Sequence, residues 1–311
     1  MKETLSGVVT RVTGATYLVE TGDGVSHRCW TVPGTVSENE GANLVAVGDR
    51  VDFQPKASGS DMPEGVITRV EKRRTSLVRR REVRRNRSKE KEQVIAGNID
   101  QLVLITSFDD PPFNSRLVDR YLAFAESEHL PLLIVVNKID LDEEGMAEED
   151  IDIYRTLGCN ICLVSAEDGR GIEELRERLR DQVSAFSGHS GVGKSTIINL
   201  LVGREELRTA ETSGKTGKGV HTTTNSAMFP LPGGGYVIDT PGIREFNLSG
   251  ITRENLRFYY TEFLRYMPEC SFSSCTHTVE PGCAVIKAVE SEAIAPERYE
   301  SYLALLDSLD E

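Results

Sequence analysis

The stretch Gly188-His189-Ser190-Gly191-Val192-Gly193-Lys194-Ser195 has the spacing G-x-x-x-x-G-K-S. Its glycines let the backbone wrap a phosphate chain with N–H groups pointing inward. Lys194 can reach β- and γ-phosphates, and Ser195 can hold Mg²⁺. Thr196 opens a run that reads as a helix ended by Gly203, and the positive N-terminus of that helix faces the anion. Residues 188–196 are therefore the candidate phosphate site. The sequence around them alternates in the way an α/β sheet requires. Residues 101–106 and 130–136 are near-continuous apolar runs with a helical pattern at 115–129 between them. Residues 161–165 and 235–239 read as further strands, and such runs mark parallel strands covered on both faces. Residues 143–152 read as an acidic surface stretch.

A phosphate loop does not name a base. Asn137-Lys138-Ile139-Asp140 does, because it directly follows a buried strand, where open α/β sheets bind ligands. A carboxylate there accepts from both N1–H and the exocyclic amine of guanine, a donor pair that adenine lacks. Ser165-Ala166, at another strand end, joins the same set. Asp239-Thr240-Pro241-Gly242 supplies a carboxylate for the Mg²⁺ shell (Asp239) and an amide suited to sensing the γ-phosphate (Gly242). Thr222-Thr223-Thr224 offers a hydroxyl to complete that shell, with Thr223 as the candidate.

The order of these motifs is informative. Asn137–Asp140 and Ser165-Ala166 precede the phosphate loop, whereas ordinary GTPases place the phosphate loop first. The domain reads as a circularly permuted GTPase, a rearrangement that close termini permit. Lys194 and Mg²⁺ supply the charge that hydrolysis needs. Ile243 stands where Ras-like enzymes carry a water-orienting Gln, so intrinsic hydrolysis is expected to be slow. His221 is the candidate replacement, its imidazole able to position a water.

The flanks differ from this centre. Residues 1–71 carry short β-rich segments at 5–12, 15–20, 47–53 and 65–70, which suggest a small closed barrel of the OB type, although other small barrels fit the pattern. Tyr17, Trp30 and Phe53 suit either base stacking or barrel core, and core is the commoner fate of such residues. At the other end, Cys270-x4-Cys275-x-His277-x5-Cys283 offers three thiolates and an imidazole, a closed tetrahedral set for one structural Zn²⁺ within helical residues 256–311. Cys159 and Cys162 lack a second pair and read as core packing.

Charge is unevenly spread. The 311 residues carry 36 Lys+Arg and 49 Asp+Glu, for a net charge of −13. A uniformly acidic chain would repel nucleic acid. Residues 69–91, however, hold 12 basic and 3 acidic residues, a local +9, which leaves −22 elsewhere. Residues 72–94 read as a basic linker too charged for a core strand, and Arg79, Arg80, Arg81, Arg84 and Arg85 are its RNA-contact candidates. No signal peptide and no membrane-length apolar run is visible, and the cysteines suit a reducing cytoplasm. Nothing in the sequence signals oligomerisation, so a monomer is the default.

Taken together, the chain resembles the ribosome small-subunit-dependent GTPases of the RsgA/YjeQ type over nearly its whole length. The resemblance rests on the permuted motif order, Lys91-Glu92-Gln93-Val94-Ile95-Ala96-Gly97-Asn98-Ile99-Asp100, the run Asp239-Thr240-Pro241-Gly242-Ile243-Arg244-Glu245-Phe246, and the Cys/His set followed by Ala284-Val285. It implies an OB barrel (1–71), a basic linker (72–94), a permuted GTPase (95–255) and a zinc-binding domain (256–311). It also implies a late assembly factor that binds the 30S subunit and its rRNA and hydrolyses GTP to GDP when the particle stimulates it. Val220 stands where this family commonly has Arg, and Thr196 where Ser is common. The rival reading is an RNA-binding nucleotide switch acting on another RNA, with hydrolysis incidental.

Overall fold

In the computed structural model, residues 3–39, 43–57, 61–79, 93–203, 226–240 and 250–309 are described. They divide into two compact units, one of residues 1–101 and 172–247, the other of residues 102–171 and 248–311.

The first unit begins with five strands: β1 (Leu5–Thr13), β2 (Thr16–Thr21), β3 (Ser26–Ser37), β4 (Arg50–Lys56) and β5 (Glu64–Val70). They pair in the order β1-β2-β3-β5-β4, and β4 pairs back onto β1, which closes the barrel. The β3–β5 pair is parallel and the others are antiparallel. Alternation sends Val9, Val19, Cys29, Phe53 and Ile67 inward to form the core. Tyr17 and Phe53 belong to that core, while Trp30 is half-buried. The sequence reading did not anticipate β3. Its alternation breaks at Pro33-Gly34, and the register against β5 shifts there, with Thr35 Oγ1 accepting from Val32 N at 3.1 Å and donating to Ile67 O at 2.8 Å.

The basic segment corrects another expectation. Rather than a uniformly solvated linker, it contains β6 (Ser76–Arg79), which pairs antiparallel with β7 (Gln93–Gly97) and fully buries Leu77. Arg73 is buried against Asp49, with its Nε and Nη2 each 2.7 Å from a carboxylate oxygen. Asn98 Nδ2 donates to Gly48 O at 3.0 Å, and Asn98 Oδ1 accepts from Arg74 N at 2.9 Å. Gly48 is required here, since a Cβ would lie 2.1 Å from the Gly97 carbonyl oxygen at a φ of +86°. Removing one partner of a buried pair such as Arg73–Asp49 costs about 3–5 kcal/mol because the other charge is left uncompensated, so the pair fixes where the chain leading into β6 meets the barrel.

The second unit starts with β8 (Gln101–Ser107), β9 (Leu132–Asn137) and β10 (Asn160–Leu163), which are parallel in the order β10-β9-β8. Helix α1 (Ser115–Ser127) follows β8, with Asn114 as its N-cap accepting from Leu117 N at 3.0 Å. The stretch expected to be acidic surface is partly α2 (Ala147–Thr156), which buries Ala147, Ile151 and Tyr154 beneath its acidic face.

Returning to the first unit, α3 (Ile172–Leu179) leads into β11 (Val183–Gly188), α4 (Lys194–Val202), β12 (Ala227–Pro230) and β13 (Tyr236–Asp239). β11 and β13 are parallel, β12 is antiparallel to β13, and β1 of the barrel pairs with β12 at Arg11↔Ala227.

The second unit closes with short 3₁₀ turns between residues 256 and 269, then α5 (Ala284–Glu290) and α6 (Pro296–Asp307). Tyr260, Phe263 and Tyr302 pack at centroid distances of 5.0–5.3 Å, Tyr302 meeting the other two rings edge-on, to form a small aromatic core. Among the described residues, no helix is long and apolar enough to cross a membrane.

Candidate functional site

In the first unit, β11 delivers the chain to Gly188, and α4 begins at Lys194. Between them Gly191 and Gly193 take φ values of 91° and 88°, which L side chains rarely adopt. These angles turn the loop back onto the helix start. Val192 is buried and anchors the loop, while His189, Ser190 and Gly191 are exposed. Ser195 is half-buried and Thr196 is exposed. Ile197, Ile198 and Leu201 bury the inner face of α4, and Gly203 caps it at a φ of 73°. Lys194 Nζ is ion-paired with the Asp239 carboxylate at the end of β13. Asp239 lies in register with Phe186 of β11, and Thr240 Oγ1 donates to Phe186 O at 2.6 Å. The candidate phosphate-binding lysine and Mg²⁺ carboxylate are thus joined.

In the second unit, Asn137 ends β9 with its side chain buried, and its Oδ1 accepts from Ala166 N at 3.0 Å. Lys138 takes a left-handed φ of 63°, a strained conformation that lets the chain reverse at the strand end. Its ammonium contacts the Asp110 carbonyl and lies 3.6 Å from the Asp110 carboxylate. Ser165, fully buried, donates from Oγ to Asp140 Oδ1 at 2.6 Å and accepts from Asp168 N at 3.2 Å. Asn137, Asp140, Ser165 and Ala166 therefore form one interlocked turn. Sequence reasoning missed Asp110, since a loop aspartate 28 positions before Lys138 carries no local signal.

The four candidate metal ligands also converge, with donor atoms all within 4.8 Å of one another. His277 Nδ1 lies 3.4 Å from Cys283 Sγ and 3.7 Å from Cys270 Sγ, and the two sulfurs are 4.0 Å apart. Ligands about 2.3 Å from a tetrahedral ion would sit about 3.8 Å from one another, so the cluster fits a metal of zinc's size. Burial pushes the Cys275 thiol up to about 12 and lowers the His277 pKa. A bound cation would reverse the thiol shift, because thiolate is the ligating form. The surroundings brace the ligand loops. Tyr299 and Tyr302 of α6 donate to the carbonyls of His277 and Thr276, each at 2.7 Å, and Arg257 Nη1 donates to Cys275 O at 2.5 Å. Cys283 caps α5, its Sγ accepting from Ile286 N at 3.5 Å.

Several candidates lie outside the described residues: His221, residues 222–224 with Thr223, Gly242, Arg80, Arg81, Arg84 and Arg85. Arg79 closes β6. Of the other basic residues in that segment, Arg69 pairs with Glu38 at 2.6 Å, Arg74 with Asp100 at 3.2 Å, and Arg73 is the buried partner of Asp49.

A family model for the RsgA GTPases matches residues 70–249. The small ribosomal subunit biogenesis GTPase RsgA of Chlorobaculum tepidum is 88% identical over 311 residues, covering 100% of both chains. The crystal structure of YjeQ from Thermotoga maritima superposes with a TM-score of 0.73 at 32% identity, covering 99% of each chain. That of YloQ, a circularly permuted GTPase, superposes with a TM-score of 0.72 at 23% identity over 99% of this chain and 96% of the other, a likeness of fold.

Proposed function

This chain belongs to the RsgA GTPase family, and on that premise we propose that it is a late maturation checkpoint on the small (30S) ribosomal subunit, hydrolysing GTP to GDP and phosphate when the particle stimulates it. The observation that carries the guanine assignment is the interlocked turn in which Ser165 holds Asp140 at 2.6 Å at the end of β9. A carboxylate fixed in this way accepts guanine's two donors without first losing rotamer freedom. The ribosomal assignment is supported by the name borne by the Chlorobaculum tepidum relative.

In this reading residues 188–196 wrap the phosphates with backbone N–H groups, and Gly242 senses the γ-phosphate. Lys194 exchanges the Asp239 carboxylate for the phosphate oxygens, which frees Asp239 for the metal shell. Ser195, Thr223 and Asp239 are the residues that would hold Mg²⁺, whose charge would offset that of the phosphate oxygens. His221 positions the attacking water. Asn137 and Lys138 shape the turn that presents Asp140 to the base, and Ser165 and Ala166 support it from the next strand end. Cys270, Cys275, His277 and Cys283 hold one structural Zn²⁺, which would replace the core that so short a knot cannot build.

The barrel (1–71), basic linker (72–94), GTPase (95–255) and zinc domain (256–311) are proposed as the functional divisions. Arg73 is buried against Asp49 and so unavailable, and the rRNA contact is assigned to Arg79, Arg80, Arg81, Arg84 and Arg85. The protein would act in the cytoplasm as a monomer, without a membrane partner. Phosphate release from GTP, measured with and without purified 30S subunits, tests the reading, and absence of stimulation by the particle would refute it.

A further inference from the structure

Helix α6 faces two ways within the second unit. Tyr299 and Tyr302 hold the carbonyls of the metal-ligand loop, each at 2.7 Å. One residue before Tyr299, Arg298 points elsewhere and is 3% exposed. Its Nε lies 2.7 Å from Glu262 Oε1, its Nη1 lies 2.5 Å from Asp119 Oδ1 on α1, and its guanidinium sits 4.5 Å over the Tyr260 ring. Asp119 is as buried as its partner, at 2% exposure. A buried guanidinium bridging two carboxylates locks geometry more than it adds stability, because the desolvation cost consumes much of the attraction.

The geometry locked here is that of helix α1. The loop leading into α1 is bound to the base-recognition turn on its other side. Phe108 N donates to Asn137 O at 2.9 Å, and Lys138 holds Asp110 through both its carbonyl and its carboxylate. Tyr154 of α2 donates to Ser115 O at 3.1 Å, and α2 itself begins where Asp142 accepts from Met146 N and Ala147 N just past Asp140. Helix α1 is therefore held by Arg298 at Asp119 and by Tyr154 at Ser115, while Asn137 and Lys138 hold the loop before it.

We propose that Arg298 is a positioning residue for guanine recognition: by fixing Asp119 it holds α1 and the loop before it, and so sets the turn that presents Asp140, making that turn answer to the metal-binding segment. The inference rests on the reading of residues 137–140 as the guanine-recognition turn. Without Arg298 the zinc knot can still close on its four ligands, but the charge link that fixes α1 against α6 is lost. Coupling of this kind commonly changes affinity between 5- and 150-fold, and packed side chains and charge networks can carry it.

The test uses the full-length, metal-loaded chain and its Arg298→Met and Arg298→Lys variants. Because Arg298→Met strands two buried carboxylates, the triple variant Arg298→Met/Asp119→Asn/Glu262→Gln is measured beside it. Affinities for GDP and for inosine diphosphate, which lacks the exocyclic amine, are read by competition against a fluorescent guanine nucleotide. Metal content and the single-turnover GTP hydrolysis rate at saturation are recorded on the same samples. We expect GDP affinity to fall roughly tenfold in the Met and triple variants, the GDP-over-inosine preference to narrow, and the saturated rate to hold within about twofold. Arg298→Lys, which keeps the charge, should recover part of the preference. Wild-type preference in a metal-retaining triple variant would overturn the proposal and leave Arg298 a packing residue. A wild-type chain that itself shows no preference for GDP would overturn the guanine reading instead.

Discussion

Asp140→Asn is the most direct probe of guanine recognition. An ionised carboxylate offers about four lone-pair sites, and Ser165 Oγ occupies one of them at 2.6 Å. The others remain for guanine's N1–H and exocyclic amine. An Asn amide keeps one oxygen, which can still accept from Ser165, but it replaces the second with an NH₂ donor. One charge-assisted hydrogen bond is lost, the other loses its charge, and a donor faces a donor. At about 1.5–3 kcal/mol for each bond to a charged group, with a similar penalty for the unmatched donor, the loss is roughly 3–6 kcal/mol. That corresponds to about a hundred- to ten-thousandfold weaker GDP binding. Xanthine diphosphate carries a carbonyl in place of the amine and should gain affinity for the variant, because the new NH₂ then finds an acceptor. Fluorescence titration with both nucleotides, with thermal unfolding as the control, measures the exchange. GDP affinity within threefold of wild type would refute the reasoning. So would an equal loss for both nucleotides at an unchanged Tm.

His221→Ala should lower 30S-stimulated turnover by roughly a hundredfold or more while GTP affinity stays near wild type, and unchanged stimulated turnover would remove His221 from the mechanism. Reversing the charge of Arg79, Arg80, Arg81, Arg84 and Arg85 together should weaken 30S binding and flatten its log–log salt dependence by about 0.7–0.9 for each phosphate left unneutralised, and an unaltered slope would make that segment a solvated excursion. Burial alone would raise the Glu280 pKa, but hydrogen bonds from the Thr276 hydroxyl and the N–H groups of Thr276 and Thr278 outweigh it and hold the carboxyl at about 2, against an ordinary 4.5. Since the folded-state pKa is the lower one, its contribution is full above pH 4.5 and fades as pH falls toward 2. Glu280→Gln should therefore cost about 1 kcal/mol near neutrality, after allowance for solvent screening, and the gap to wild type in denaturant unfolding should close over that acid range.

Much of the functional site was legible because its chemistry is local. A phosphate loop needs glycines at fixed offsets and a lysine at the helix start, whatever the rest of the chain does. The Asn137–Asp140 turn and the Cys/His spacing are readable for the same reason, and their order along the chain carried the permutation. The barrel was visible as alternating short strands, except for β3, where Pro33 and Gly34 hide twelve residues of strand. Helix α2 was hidden differently: its acidic composition suggested surface, yet Ile151 and Tyr154 recur at helical spacing and are buried.

The sequence by itself determined which groups this protein has for binding a guanine nucleotide and a metal, since backbone permissiveness and ligand type act over a few residues. The tertiary structure alone decided which charges are free to act. Arg73 belongs to the basic run, yet Asp49, 24 positions away, buries it. Arg298 looks like an ordinary surface helix residue, yet it meets Asp119 at a separation of 179. The physical reason is that a buried charge is tolerable only beside its counter-charge. That partner is chosen by how the chain packs in space, and no spacing rule along the sequence records it.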